Sequence, residues 1–118
     1  MNQSRITTTT NASGAATAYG PLIVNAKLLA VQWIDGTLAD GLTATLSVET
    51  TELTYDLLVL ASPLANADKM YYPRILAHGP NGADLTALYA EQVINGRLKL
   101  TIASGGNTLT GGCIVFWE

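Results

Sequence analysis

The sequence predicts an all-β fold, an antiparallel β-sandwich of jelly-roll kind with about seven or eight strands. Three observations carry that expectation. Leu42, Ala44, Leu46 and Val48 alternate with Thr43, Thr45, Ser47 and Glu49, a period of two that rejects a helix. Leu98, Leu100 and Ile102 repeat the pattern against Lys99, Thr101 and Ala103. Between the apolar runs stand Asp35-Gly36, the Gly-Pro-Asn-Gly at 79–82, Asn95-Gly96 and the segment SGGNTLTGG at 104–112, whose Gly and Asn residues suit turns.

Taken in order, residues 1–20 are small and polar, and 21–118 form the single sandwich domain. The Thr-rich stretch Arg5 to Thr10 favours extended backbone, so it reads as an edge strand, as an arm laid on a neighbour, or as disordered chain. The triplet Asn11-Ala12-Ser13 matches a glycosylation site but carries no weight without a secretory signal. From Pro21, Leu22 to Ile34 forms one long strand, or two with a break near Asn25, with Leu29, Val31 and Trp33 sharing a face. The strand from Gly41 to Glu49 follows. Leu53 to Ala61, apolar on both faces in its second half, is expected to lie centrally in a sheet. Pro63 and Pro73 bar a central strand over 62–74, and Ile75 to His78 is a short strand. Ala83 to Val93 is open to two readings. Leu85, Leu88 and Tyr89 have helical spacing, while a strand or irregular loop would carry Tyr89 inward. The last segment, Arg97 to Glu118, reads as a β-hairpin whose second arm, Cys113 to Trp117, is covered on both faces.

Composition narrows the function. The chain has 118 residues, enough for one domain that buries roughly two-thirds of its unfolded surface. Charged residues make up 13%, against about a quarter in ordinary domains. So little charge implies that copies of the chain or a partner cover part of the surface. The net charge of −3, with six Lys and Arg scattered, argues against nucleic acid. No apolar run approaches the ~20 residues of a membrane helix, and the opening MNQSRITTTT lacks a signal-peptide core. One cysteine excludes an internal disulfide and points to a reducing cytoplasm as the place of synthesis.

Chemistry-bearing residues are sparse. His78 is the sole histidine and sits at a turn; Cys113 lies in a hydrophobic run, where thiols are inert. The carboxylate pairs Glu49/Glu52 and Asp35/Asp40 flank loops and would serve a metal or a sugar, yet lack calcium-loop spacing. The glycines of SGGN and TGG fit a hairpin turn better than a phosphate cradle. Met70, Tyr71 and Tyr72 beside Arg74 are the residue types of binding hot spots or sugar-stacking platforms; the alternative packs both tyrosines on the sheet. No catalytic, cofactor or metal residue emerges, and no enzyme is expected.

Three segments together, TTNASGAATAYGP (9–21), YYPR (71–74) and LKLTIASGGNTLTGG (98–112), resemble small virion proteins of tailed bacteriophages. Those proteins share a polar Thr/Ala/Ser/Gly opening into Tyr-x-Pro, a central Tyr-Pro-Arg and a closing Ile-Ala-x-Gly-Gly-Asn turn before an apolar strand. The resemblance implies a β-sandwich made in the host cytoplasm and built into the virion, as a head decoration or a vertex (head-fibre base) subunit. It implies homo-oligomers, contact with the major capsid protein or another virion protein, and no cofactor. Candidate contact residues are Met70, Tyr71, Tyr72 and Arg74, with Thr7, Thr8, Thr9 and Thr10 of the polar arm. The alternative is a tail or fibre module that recognises a surface glycan through Tyr71, Tyr72 and the acidic loops.

Overall fold

The computed structural model describes residues 1–118 and holds nine strands and no helix. They are β1 (Asn2–Thr9), β2 (Ala16–Ile34), β3 (Thr43–Glu49), β4 (Thr54–Ala61), β5 (Lys69–Tyr71), β6 (Arg74–His78), β7 (Asp84–Glu91), β8 (Val93–Ala103) and β9 (Thr110–Trp117). All pairings are antiparallel; six strands follow the order β1-β9-β2-β8-β3-β4, and β5, on β2, is the seventh. The fold is a β-sandwich, as its sequence pattern requires.

The 19-residue β2 joins the two layers. Its first half pairs with β8, and its second half lies between β9 and β5. A strand that serves two sheets must bend, and bulges supply the bend. The ladder to β8 breaks between Tyr19 and Leu22, where Pro21 has no N–H to donate, and again between Ile23 and Ala26. Asn25 there adopts φ 55°, so of the two expected readings the single long strand holds, with a bulge in place of a break. A third irregularity, between Leu28 and Ala30, reverses the alternation. Val31 and Trp33 therefore point into the core as expected, but Leu29 points out and Leu28 takes the inner place.

The core is one cluster of 20 buried residues drawn from both layers: Ile6, Leu28, Val31, Trp33, Cys113 and Val115 on one side, Leu46, Val48, Leu98, Leu100 and Ile102 on the other. The layers meet so closely that the void between them measures about 10 Å³, at the lower limit for a water and without polar lining. Burial pushes the Cys113 thiol up to about 12. In the native protein it should react with thiol reagents at pH 8 at least about a thousandfold more slowly than in denaturant. Equal labelling rates would show that β9 opens readily.

Several expectations are corrected. The C-terminal segment is not a hairpin: β8 and β9 flank β2 on opposite sides and do not pair with each other. Residues 104–109 instead arch from one layer to the other. Ser104 (φ 60°), Gly106 (φ 90°) and Thr108 (φ 54°) turn the chain there. The arch is held by Gly105 N–H to Gly14 O (2.8 Å) and Ala39 N–H to Gly105 O (3.0 Å). Leu53 to Ala61 is no central strand; β4 ends the sheet, its Val59 52% exposed. The helix over 83–93 is absent, and Tyr89 does not turn inward. The turn at 79–82 folds β7 onto β6, Ala87 has φ 56°, outside helical space, and Tyr89 is 62% exposed.

Residues 2–9 pair along their whole length with β9 of the same chain, and β2 runs through positions 20 and 21 without interruption. The Asn11 side chain also has a structural task. Its Oδ1 accepts from Ser13 N–H (3.0 Å), Ser13 Oγ–H (2.8 Å) and Ala15 N–H (3.0 Å), an Asx turn between β1 and β2.

Candidate interaction surface

β5 fixes the Met70–Arg74 segment against β2, with Lys69 opposite Trp33, Met70 opposite Gln32 and Tyr71 opposite Val31. Strand alternation then separates the aromatic pair. Tyr71 turns inward, packs on the core and donates its hydroxyl to Leu64 O at 2.8 Å. Met70 and Tyr72 turn outward, 37% and 66% exposed. With Met1, Leu29, Ala30 and Phe116 they line an apolar depression of about 250 Å³. Arg74 donates from Nη1 to Pro73 O (2.9 Å) and Leu29 O (3.4 Å), which anchors the base of β6 to β2. A second depression, of about 460 Å³, opens between Lys27, Arg74, Tyr89, Glu91 and Val93.

β6 and β7 form a separate two-stranded hairpin. Every residue of β7 is exposed, and Ile75, Leu88, Tyr89 and the adjoining Val93 all show large apolar surfaces. The sequence does not announce this exposure, because Leu85, Leu88 and Tyr89 have helical spacing and the alternative strand or loop carries Tyr89 inward. The available signal was the Gly-Pro-Asn-Gly turn, which commits the following residues to return beside 74–78.

The Thr residues divide. Thr7 and Thr9 are exposed on the edge strand, Thr8 is half-buried, and Thr9 Oγ1 lies 3.2 Å from Thr110 Oγ1. Thr10 is 3% exposed. Its Oγ–H donates to Gly106 O (2.6 Å) and its Oγ accepts from Leu109 N–H (3.0 Å), so it clamps the arch of its own chain.

The titratable groups are dispersed. His78 Nε2 lies 2.8 Å from Asp84 Oδ1 across the exposed hairpin, while Cys113 is in the core. Glu49 faces Lys99 (3.2 Å) and Arg97 (3.9 Å), and the Arg97 guanidinium stacks 3.8 Å above the Tyr19 ring. Asp35 is the exception in its electrostatics. Its Oδ1 is buried without a hydrogen-bond partner. Burial, then the charges of Asp40 and Asp68, raise its carboxyl above the ordinary 3.8. The folded state therefore keeps this proton to higher pH than the unfolded chain, and stability falls as pH rises from the ordinary carboxylate range through the raised value. Asp35→Asn should raise the melting temperature at pH 7 and leave it unchanged near pH 3. A melting temperature at pH 7 below that of the wild type would refute the assignment.

No protein-family model, curated protein or solved structure matches the chain. The fold and the surface define a class, an all-β sandwich with exposed apolar and aromatic side chains.

Proposed function

We propose that this chain is a non-enzymatic structural subunit of a bacteriophage virion, a capsid decoration or vertex (head-fibre base) protein that assembles as a symmetric oligomer on the particle. The observation that carries the reading is the apolar and aromatic surface the molecule leaves exposed around β5, β6 and β7. Met70 and Tyr72 line one apolar depression, and Ile75, Leu88, Tyr89 and Val93 are exposed on and next to the β6–β7 hairpin, in a chain with only 13% charged residues. Met, Tyr and Arg are the types enriched where proteins bury surface against proteins, and an apolar array of this kind on a small domain marks such a contact. The resemblance of residues 9–21, 71–74 and 98–112 to small phage virion proteins supplies the context.

The glycan-binding alternative has less support. Tyr72 is exposed as stacking requires, yet all six residues around its depression are apolar. A sugar's hydroxyls need hydrogen-bond partners that such a wall lacks. Glu49 is already engaged by Lys99 and Arg97.

The test compares otherwise identical particles assembled with and without the protein. Particles lacking it should lose infectivity and DNA sooner on heating and at low salt; equal survival would overturn the cementing role. Tyr72→Ala should lower occupancy on the particle tenfold or more, as an interface anchor does, and change the isolated protein's stability by no more than about 0.5 kcal/mol. Retained occupancy with lost binding to host envelope would favour the glycan reading.

A further inference from the structure

The core does not account for the β6–β7 hairpin. Each of its strands pairs only with the other, so each keeps an open edge. Two strands alone in water are marginal, and a third is what gives such a unit persistence. The exposed apolar side chains Ile75, Leu88 and Tyr89 make the deficit larger.

Charge decides what completes it. β6 carries the bases Arg74 and His78, and β7 carries the acids Asp84 and Glu91. Two-fold pairing of β7 with another β7 would set Asp84 of one copy beside Glu91 of the next. Two-fold pairing of β6 with another β6 would set Arg74 beside His78. Like charges placed directly opposite destabilise a sheet. Antiparallel addition of β6 to the β7 of a second copy does the reverse, repeating between copies the register the hairpin uses internally, Arg74 opposite Glu91 and His78 facing Asp84. Arg74 and Glu91 are moreover register partners that form no ion pair within the chain. Arg74 Nη1 is directed to the carbonyls of Pro73 and Leu29, and the three ion pairs of the structure leave Glu91 without a cation.

We propose that copies of this chain join head to tail, β6 of one on β7 of the next, and close into a ring of three or more. A head-to-tail contact of this kind generates rings when its rotation closes and cannot stop at an isologous dimer. The inference deepens the virion-subunit reading, on which it rests for the expectation that copies assemble, and it names the surface through which they meet.

The test is the native mass of the full chain by size exclusion with light scattering. The wild type should run as a single species of at least three chains. Arg74→Glu and Glu91→Arg, each folded by circular dichroism, should fall to the mass of one chain. The double variant Arg74→Glu/Glu91→Arg should regain the wild-type mass and, refolded together with wild type, form mixed rings well below the random proportion. Amide exchange of the unaltered protein gives a reading independent of any variant, with protection along the outer edges of β6 and β7 that is lost on dilution. A wild-type monomer or dimer, single variants that stay assembled, free mixing of the double variant, or protection indifferent to concentration would each overturn the proposal. A ring that survives both charge reversals overturns this edge and leaves the virion reading to its particle test. Particles indifferent to loss of the protein overturn that reading and leave the ring standing.

Discussion

Gly112→Ala should destabilise the protein by about 3 kcal/mol or more and free β1 from the sheet. Gly112 lies in β9 opposite Thr7 of β1 and Ile34 of β2. A Cβ built there would overlap the Ile6 carbonyl oxygen, with the Ile6 carbonyl carbon and Thr7 Cα each 3.0 Å away. Every one of these atoms is backbone, so no rotamer change relieves the overlap and a strand must move. Ordinary overpacking costs about 1–3 kcal/mol because side chains give way; here β1 itself gives way. Its departure would draw Ile6, 3% exposed, out of the core, where its side chain fills the space above Gly20. Gly111→Ala is the comparison. Its nearest obstacle is the Leu38 side chain, a flexible end, although Asp35 O follows at 2.9 Å, so its cost should be smaller. Urea unfolding gives the magnitude, and hydrogen exchange over residues 2–9 shows whether β1 is the part released. An unchanged midpoint with β1 still protected would show that the sheet can absorb the methyl group.

The same glycines show where sequence reasoning reached its limit. Gly111 and Gly112 read as part of a turn because glycine is the common turn residue, yet both lie inside β9 and are small because neighbouring chain passes against them. Close approach of distant backbone has no local signature. The alternations at 42–49 and 98–103 were legible because each strand buries one face, and Ala44, Leu46, Val48, Leu98, Leu100 and Ile102 are all core residues. The pairing of those strands was not legible. Local pattern suggests that consecutive strands pair, whereas β2, long enough to serve both layers, takes the place between β8 and β9. The position of β4 escaped for a related reason. Its register with β3 shifts between Leu46 and Ser47, which buries Leu57 and Leu60 and leaves Val59 out on the other face, so apolar character on both faces did not mean cover on both faces.

The candidate surface divides along the same line. Tyr72 and Met70 were identifiable as aromatic and Met residues beside an Arg, with Pro73 marking irregular chain. That Tyr71 would turn inward depended on the three-residue pairing of β5 with β2, and so on the parity of a strand too short to announce itself. Thr10 looked like its three predecessors, but the chain turns after Thr9, and the hydroxyl at position 10 meets the arch carbonyls of Gly106 and Leu109.

Trp33→Ala should cost about 3–5 kcal/mol, a large share of the roughly 5–15 kcal/mol that holds a domain together. Trp33 is 1% exposed and lies at the junction of the layers, lining the narrow void with Leu46, Leu60, Leu100 and Cys113. Its Nε1–H donates to Ala65 O at 2.9 Å, and Ala65 is fully buried. The side chain therefore fills the core and ties down the 62–68 connection, two roles that a second variant separates. Trp33→Phe keeps much of the packing but leaves the Ala65 carbonyl without its donor, at about 1–3 kcal/mol. The connection has another tie, Tyr71 Oη–H to Leu64 O at 2.8 Å, so Trp33→Phe alone should loosen residues 62–68 without releasing them. Adding Tyr71→Phe removes both anchors, and the loss should exceed the sum of the single variants, because either hydrogen bond positions the segment for the other. Urea unfolding of the wild type, the two single variants and the double variant, followed by circular dichroism, measures the coupling. Additive losses would mean that Ala65 and Leu64 are held independently, and a Trp33→Ala variant within about 1 kcal/mol of wild type would mean that the layers close over the gap.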